Sequence, residues 1–366
     1  MQRLGRNNDK VMKRAIEILQ QLIATPSLSG NEAVTADILA TELSERGVEV
    51  RRLHNNVWAL SKGYDASKPT LMLNSHQDTV KPSQAYTRNP FEPTIEDGKL
   101  YGLGSNDAGA SLVALLTTFC TNYDTTDAPY NLLLALTAEE ENMGERGMRA
   151  FLPHFAEQGV KVDMVLVGEP TSMQAATAER GLVVLDCTAH GKSGHAARNE
   201  GENAIYKAMC DIEKLRNYRF ERTSEQLGDI KITVTQISAG TQHNIVPDEC
   251  RFVADVRTTD AYSNEEVVEI LQSVVECDAK PRSTRVRASA ISLSHPLVKA
   301  AQAIGRTTFV SPTTSDRAIM QGLPALKMGI GESSRSHTAD EYILLDEIGE
   351  AIEVYEKVLD NLIIEK

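Results

Sequence analysis

The feature that most constrains the fold of this chain is a set of short, charge-free apolar runs, each ending abruptly in an acid or a histidine. Residues 70–75, 131–137 and 164–168 are rich in Leu, Val or Met. They lead into Ser75-His76-Gln77-Asp78, Ala138-Glu139-Glu140-Glu141 and Gly168-Glu169-Pro170. A fourth run, 325–330, carries Lys327 as its one charge. Uncharged runs of this length, separated by helix-like segments of about 12 to 16 residues, suit strands buried on both faces of a mostly parallel sheet. The predicted class is therefore α/β. In an open parallel sheet the carboxyl ends of the strands lie along one edge, where ligand sites form, so residues distant in sequence converge there.

Helices are predicted over 11–23, 108–120 and 145–158 on the same alternation. From 181 to 286 the pattern changes to strand (181–189), helix (202–215), strand (229–237), strand (250–257), helix (264–276) and strand (284–288). That βαββαβ order matches a ferredoxin-like unit of about 110 residues. A helix (296–304), the 325–330 strand and an amphipathic helix (346–364) follow. The expected architecture is a discontinuous catalytic domain, 1–175 and 287–366, with an inserted lid or dimerisation domain at 176–286. A length of 366 residues accommodates two such domains.

Composition removes several function classes. No uncharged apolar run approaches the roughly 18 residues of a spanning helix, and the basic, polar N-terminus has no apolar stretch behind it, so neither membrane insertion nor secretion is expected. The net charge of −13, without a local basic stripe, argues against nucleic acid as a partner. The five cysteines are scattered and form no C-x-x-C pair, which fits a reducing cytoplasm and argues against a disulfide framework or a thiolate zinc site.

The ends of the strands carry the chemistry. Asp107, in Gly104-Ser105-Asn106-Asp107, and His337, in the loop after the 325–330 strand, can reach the edge that holds His76, Glu140 and Glu169. Any one of these acids or histidines alone would be an ordinary solvated strand end. Five carboxylate and imidazole donors together suit Zn²⁺ or a similar ion, and they exceed the three protein ligands of one catalytic zinc. Two metals are implied, about 3.5 to 4 Å apart across a bridging carboxylate, with a shared water as nucleophile.

At this density of motifs the chain resembles the M20 metallopeptidase family, in its acetylornithine deacetylase and succinyl-diaminopimelate desuccinylase branch. The resemblance spans nearly the whole length. It rests on His76-x-Asp78, Gly102-x-Gly104-x-x-Asp107, Glu139-Glu140, Glu169-Pro170, His190-Gly191-x-x-Gly194-His195, Asn244-x-Val246-Pro247, Asp255-x-Arg257 and His337-x-x-Asp340-Glu341. It implies Asp107 as the bridging ligand, His76 and Glu169 on one ion, and Glu140 and His337 on the other. Glu139 is implied as general base, Asp78 as the carboxylate that orients His76, and His195 as an oxyanion donor reaching a partner subunit's site. Asn244, Arg257 and Ser315 of Thr314-Ser315-Asp316 match substrate-binding positions, an Arg fork being well shaped for a carboxylate. A cis Asp107–Ala108 peptide is also implied. The chain departs from the family pattern at Leu103 and Gly109, where relatives carry basic residues.

The function expected from this reading is metal-dependent hydrolysis of an N-acyl-L-amino acid by a cytoplasmic homodimer. The resemblance points to N-acetyl- or N-succinyl-ornithine or citrulline, in arginine biosynthesis, with two Zn²⁺ as cofactors and Co²⁺ as the alternative. Succinyl-diaminopimelate desuccinylase and a di- or tripeptidase are the competing enzymes. An inactive metal-binding assembly protein is the competing reading outside catalysis, and a spare base beside the ligands argues against it.

Overall fold

The computed structural model describes residues 2–198 and 200–364. It separates into two compact units. The first comprises the chain up to Thr177, Ile291–Ser311 and Ser315 onward; the second comprises Ala178–Ala290 with Pro312–Thr314.

The first unit is built on a mainly parallel sheet. Thr70–His76 is its axis, with all seven residues buried. It runs parallel to Asn131–Thr137, in register from Thr70 opposite Asn131 to His76 opposite Thr137. On its other side it runs parallel to Met164–Val167, which in turn pairs in parallel with Ala325–Lys327. Antiparallel Asn56–Leu60 extends the sheet beyond Asn131–Thr137. Because successive side chains point to opposite faces, Leu71, Leu73, Leu132, Leu134 and Leu136 join one core with the helices Ala110–Asn122 and Leu345–Asp360. Met72, Leu133, Ala135 and Val165 join the other core, with Trp58, Phe151 and Phe155. A sheet sandwiched in this way has no polar face, which is why its strands read as unbroken apolar runs.

Elements that went unrecognised in the sequence include the helix Ala33–Glu45 and the hairpin of Arg51–Leu53 with Asn56–Leu60. The Asp107–Ala108 peptide is cis, as the resemblance implied. The packing also accounts for two departures from the family pattern. Leu103 is buried. A Cβ at Gly109 would lie 2.5 Å from the Gly104 carbonyl oxygen and 2.8 Å from the Leu19 side chain, so no lysine fits there without a shift.

The second unit carries a four-stranded antiparallel sheet in the order Lys231–Ala239, Glu249–Thr258, Gly181–His190, Asp278–Pro281. Its helices are Ala204–Asn217, capped by the Asn203 side chain, and Asn264–Val274, which starts with a capping box between Ser263 and Glu266. The last strand corrects the sequence reading, which placed it at 284–288. The paired segment lies earlier, at Asp278–Pro281, with Pro281 closing an edge strand that needs few ladder donors. Of residues 284–288, Val286 keeps a single antiparallel bridge to Leu182, and the carbonyls of Thr284 and Val286 accept from the Asn264 side-chain amide.

Since Leu134 is fully buried at the middle of a central strand, Leu134→Ala is expected to destabilise the protein by about 2–5 kcal/mol. Urea unfolding with an unchanged m-value checks this; a loss below about 1 kcal/mol would contradict the packing described.

Candidate metal centre

The carboxyl ends of the parallel strands deliver their terminal residues to one place. His76 closes its strand with the ring buried. Its Nδ1 lies 2.9 Å from the Asp78 carbonyl oxygen and 3.5 Å from Asp78 Oδ1. Its Nε2 lies 3.2 Å from Asp107 Oδ1 and 3.5 Å from Glu169 Oε1. Asp78 is itself held: its carboxylate accepts from Ser29 Oγ at 2.7 Å and from the backbone N–H groups of Glu140 and Glu141 at 3.0 and 3.1 Å. Asp78 therefore ties the His76 strand to the loop after Asn131–Thr137.

His337 supplies the other imidazole. Its Nε2 is 3.1 Å from Glu141 Oε2 and 3.5 Å from Asp107 Oδ2, and the ring is half-exposed. Asp107 thus stands between the two histidines, one carboxylate oxygen toward each. Among the described residues, two sets bring three donor atoms within 4.8 Å of one another: His76, Asp107 and Glu141, and His76, Glu140 and Glu169.

The three consecutive glutamates are placed differently from the order the sequence suggested. Glu139, expected as general base, turns away from this cluster. Its backbone has φ of 55°, the left-handed region, so the strand's alternation breaks there. Its carboxylate accepts from Arg146 Nε at 2.9 Å and from the Arg146 backbone N–H at 3.0 Å. Glu140, expected as a ligand of the second ion, lies instead with His76 and Glu169. Glu141, overlooked in the sequence, takes the place beside Asp107 and His337. The run of three acids was itself the available signal.

The remaining expected residues are held by local bonds of their own. Ser315 is buried, and its hydroxyl accepts from the Arg317 backbone N–H at 3.4 Å. Its neighbour Asp316, also buried, accepts from Thr137 Oγ1 at 2.8 Å at the end of the Asn131–Thr137 strand. In the second unit, His195 is exposed on a two-residue strand paired with Ile245–Val246, and its Nδ1 accepts from the Ala197 N–H at 3.1 Å. The Asn244 carbonyl accepts from the Ala196 N–H at 3.0 Å. Arg257 forks onto Asp255 of its own strand, at 2.7 and 3.0 Å.

The electrostatics of the cluster test whether cations fit. Burial pushes the Glu169 carboxyl up to about 8, and Asp107 and Glu141 push the same way, although Lys327 and His76 oppose them. Burial likewise holds Glu140 well above the usual carboxylate range, and raises Asp316 to about 6. The Glu141 hydrogen bond raises His337 to about 9. For His76, burial opposes the charged form, but Asp107 and Asp78 outweigh it and the ring is held well above its ordinary value. Acids that bind protons and imidazoles that keep them mark a site with excess negative charge. An oxygen-rich donor set with two imidazoles suits divalent zinc-like ions.

A buried cluster of carboxylates and imidazoles at the carboxyl edge of a parallel sheet is a candidate metal centre. The comparisons give the family. Residues 72–361 match the model of peptidase family M20/M25/M40, and the chain belongs to that family. It is an M20 metallohydrolase acting on amide bonds. Succinyl-diaminopimelate desuccinylase from Delftia acidovorans is 27% identical over 96% of this chain and 98% of its own length. Aminopeptidase PepT from Bacillus cereus superposes with a TM-score of 0.76 at 19% identity, over 96% of this chain and 98% of its own. A dinuclear metal binding peptidase of the M20 family from Bacillus subtilis gives a TM-score of 0.71 at 16% identity, over 96% and 98%.

The glutamate register yields a direct test. Glu141→Ala is expected to lose one of two equivalents of bound divalent ion after dialysis, whereas Glu139→Ala keeps both. Metal analysis of the folded variants checks this, and the reverse pattern would contradict the geometry.

Proposed function

We propose that this protein hydrolyses the amide of an N-succinyl amino acid, with succinyl-diaminopimelate as the leading substrate, in a two-ion site. The observation that carries the reading is Asp107, which stands between His76 and His337 with one carboxylate oxygen toward each. In this assignment His76 and Glu169 complete one ion site, and Glu141 and His337 complete the other. Zn²⁺ is the favoured occupant, with Co²⁺ as a substitute. Bound there, two divalent ions supply the positive charge that acidifies a water molecule and polarises the amide carbonyl.

The chain's own residues do the rest. Glu140 accepts the proton of the attacking water and later delivers it to the leaving nitrogen, so that the C–N bond breaks to a carboxylate and a free amine. Its place beside His76 and Glu169 supports this role; Glu139, engaged by Arg146, is poorly placed for it. Asp78 orients His76 through Nδ1 and fixes its tautomer, leaving Nε2 for the ion. His195 is assigned to the developing oxyanion, and Asn244 and Arg257 to the substrate carboxylates. Arg257 would exchange Asp255 for a substrate group. Ser315 is assigned to the support of the turn at Asp316–Ala318, since its buried hydroxyl accepts from the Arg317 N–H.

The element order and antiparallel sheet of the second unit support a ferredoxin-like insertion, acting as lid and dimer interface. Its long, exposed edge strand Lys231–Ala239 is the kind of edge that pairing between copies would cover. The homodimer, with His195 serving the partner's site, follows as part of the same proposal, as does action in the cytoplasm. Among the described residues no helix is long and apolar enough to cross a membrane. N-acetyl- and N-succinyl-ornithine, first choices from the sequence, have less support than the substrate in the Delftia relative's name.

Steady-state rates on succinyl-diaminopimelate, succinyl-ornithine, acetyl-ornithine and acetyl-citrulline check the assignment. The highest kcat/KM is expected for succinyl-diaminopimelate; a preference for either ornithine derivative would move the substrate while preserving the reaction. Glu140→Gln should retain both ions and lose about 10²–10⁴-fold in kcat. If Glu139→Gln suffered that loss instead, the base would be Glu139.

A further inference from the structure

The loop that carries His337 and the loop that carries Asp107 are fastened to each other by buried side chains, Glu341 foremost. The residue is 2% exposed, and its carboxylate gathers three backbone donors from the other loop. The N–H groups of Asn106 and Asp107 donate to Oε1 at 2.8 and 2.9 Å, and the N–H of Gly104 donates to Oε2 at 3.2 Å. The Glu341 carbonyl also accepts from the Gly102 N–H at 2.9 Å. From there the chain continues as Tyr342–Leu344, which pairs antiparallel with Lys99–Tyr101 and so extends the join.

Asn106 makes the reciprocal fastening. Its side-chain amide donates to the Glu332 carbonyl at 3.1 Å and to Ser336 Oγ at 3.2 Å, while its Oδ1 accepts from the Glu332 N–H at 3.1 Å. Asp340, next to Glu341, accepts from the backbone N–H groups of Thr87 and Arg88, both at 3.0 Å. His337 and Asp340 both have left-handed backbones, with φ of 58° and 53°. A short segment containing two such residues has little intrinsic preference for its observed path. External bonds must hold it, and Glu341 supplies those nearest to a ligand: it bonds the N–H of Asp107 itself.

We infer that Glu341 is a positioning residue, which fixes the separation of Asp107 and His337 and so builds the ion site that these two share with Glu141. The inference rests on the two-ion reading above. It goes beyond it by naming a residue with no place among the ligands whose loss is felt more at one ion site than at the other. His76 and Glu169 arrive on rigid parallel strands and do not depend on this fastening. His337 arrives on a loop with its ring half-exposed, and does depend on it. Outer partners of metal ligands typically contribute 10–100-fold in affinity.

Two variants separate position from charge. Glu341→Asp keeps the negative charge but withdraws the carboxylate by one methylene; Glu341→Gln keeps the length but turns an amide donor toward backbone donors. Zn²⁺ titration by calorimetry on the apo protein, with His337→Ala marking which site is which and circular dichroism reporting folding, decides the matter. Wild type is expected to bind two ions. Glu341→Asp should still bind two, with the larger loss, at least 10-fold, at the site that His337→Ala abolishes and a smaller one at the other, which shares Asp107. Wild-type affinity at both sites in Glu341→Asp would overturn the inference, and so would equal weakening of both sites. If Glu341→Gln fails to fold, Glu341→Asp carries the test alone. A wild-type stoichiometry below two would remove the two-ion reading itself, and the inference with it.

Discussion

Negative charge concentrated at the buried end of a parallel sheet is the constraint on which the rest of this structure depends. Asp78, Glu140, Glu169 and Asp316 are all buried there, with Asp107 and Glu141 nearly so. Two like charges 4 Å apart repel by about 4 kcal/mol even at an effective dielectric of 20. The fold relieves part of this with hydrogen bonds. Asp78 takes Ser29 and two backbone N–H groups, Asp316 takes Thr137, and Glu341 takes three backbone N–H groups. What is left over, on Asp107, Glu140, Glu141 and Glu169, is the charge that divalent cations would neutralise, and burial, with the neighbouring carboxylates, raises the proton affinity of Glu140.

Sheet and loops divide the task of placing these groups. The parallel register puts His76 opposite Thr137, and it puts Asn74 opposite Val167, two residues before Glu169. Three segments far apart in sequence thereby end at one level. Direction, by contrast, is set by backbone conformations outside the regular elements. Glu139 and His337 both have positive φ, a conformation that costs a non-glycine residue of order 1–3 kcal/mol. The left-handed turn at Glu139 turns that side chain onto Arg146 and gives the next two residues to the cluster. The surrounding packing, with Trp58, Phe151 and Phe155 beneath the Met72 face, holds the sheet against which these conformations are set.

Much of this was legible in the sequence because burial on both faces leaves a plain record. The charge-free runs at 70–75 and 131–137 became central strands, and the acids and histidine that ended them met. What stayed hidden has physical reasons. Which of Glu139, Glu140 and Glu141 faces the cluster turns on one φ angle, and no pattern of residue types encodes it. The edge strand Asp278–Pro281 contains a lysine and a proline and so lacked a strand's composition. Glu341 stood within a recognised motif, yet its partners are backbone N–H groups, which leave no trace in residue identity.

The central claim is that this surplus of buried carboxylate is shaped to hold two cations across Asp107. X-ray absorption spectroscopy of the protein loaded with two equivalents of Zn²⁺ tests it most directly. The account expects a metal–metal scattering shell at about 3.5–4 Å, with a first shell of oxygen and nitrogen and no sulfur. A metal–metal shell that is absent at full occupancy, or a first shell containing sulfur, would contradict it.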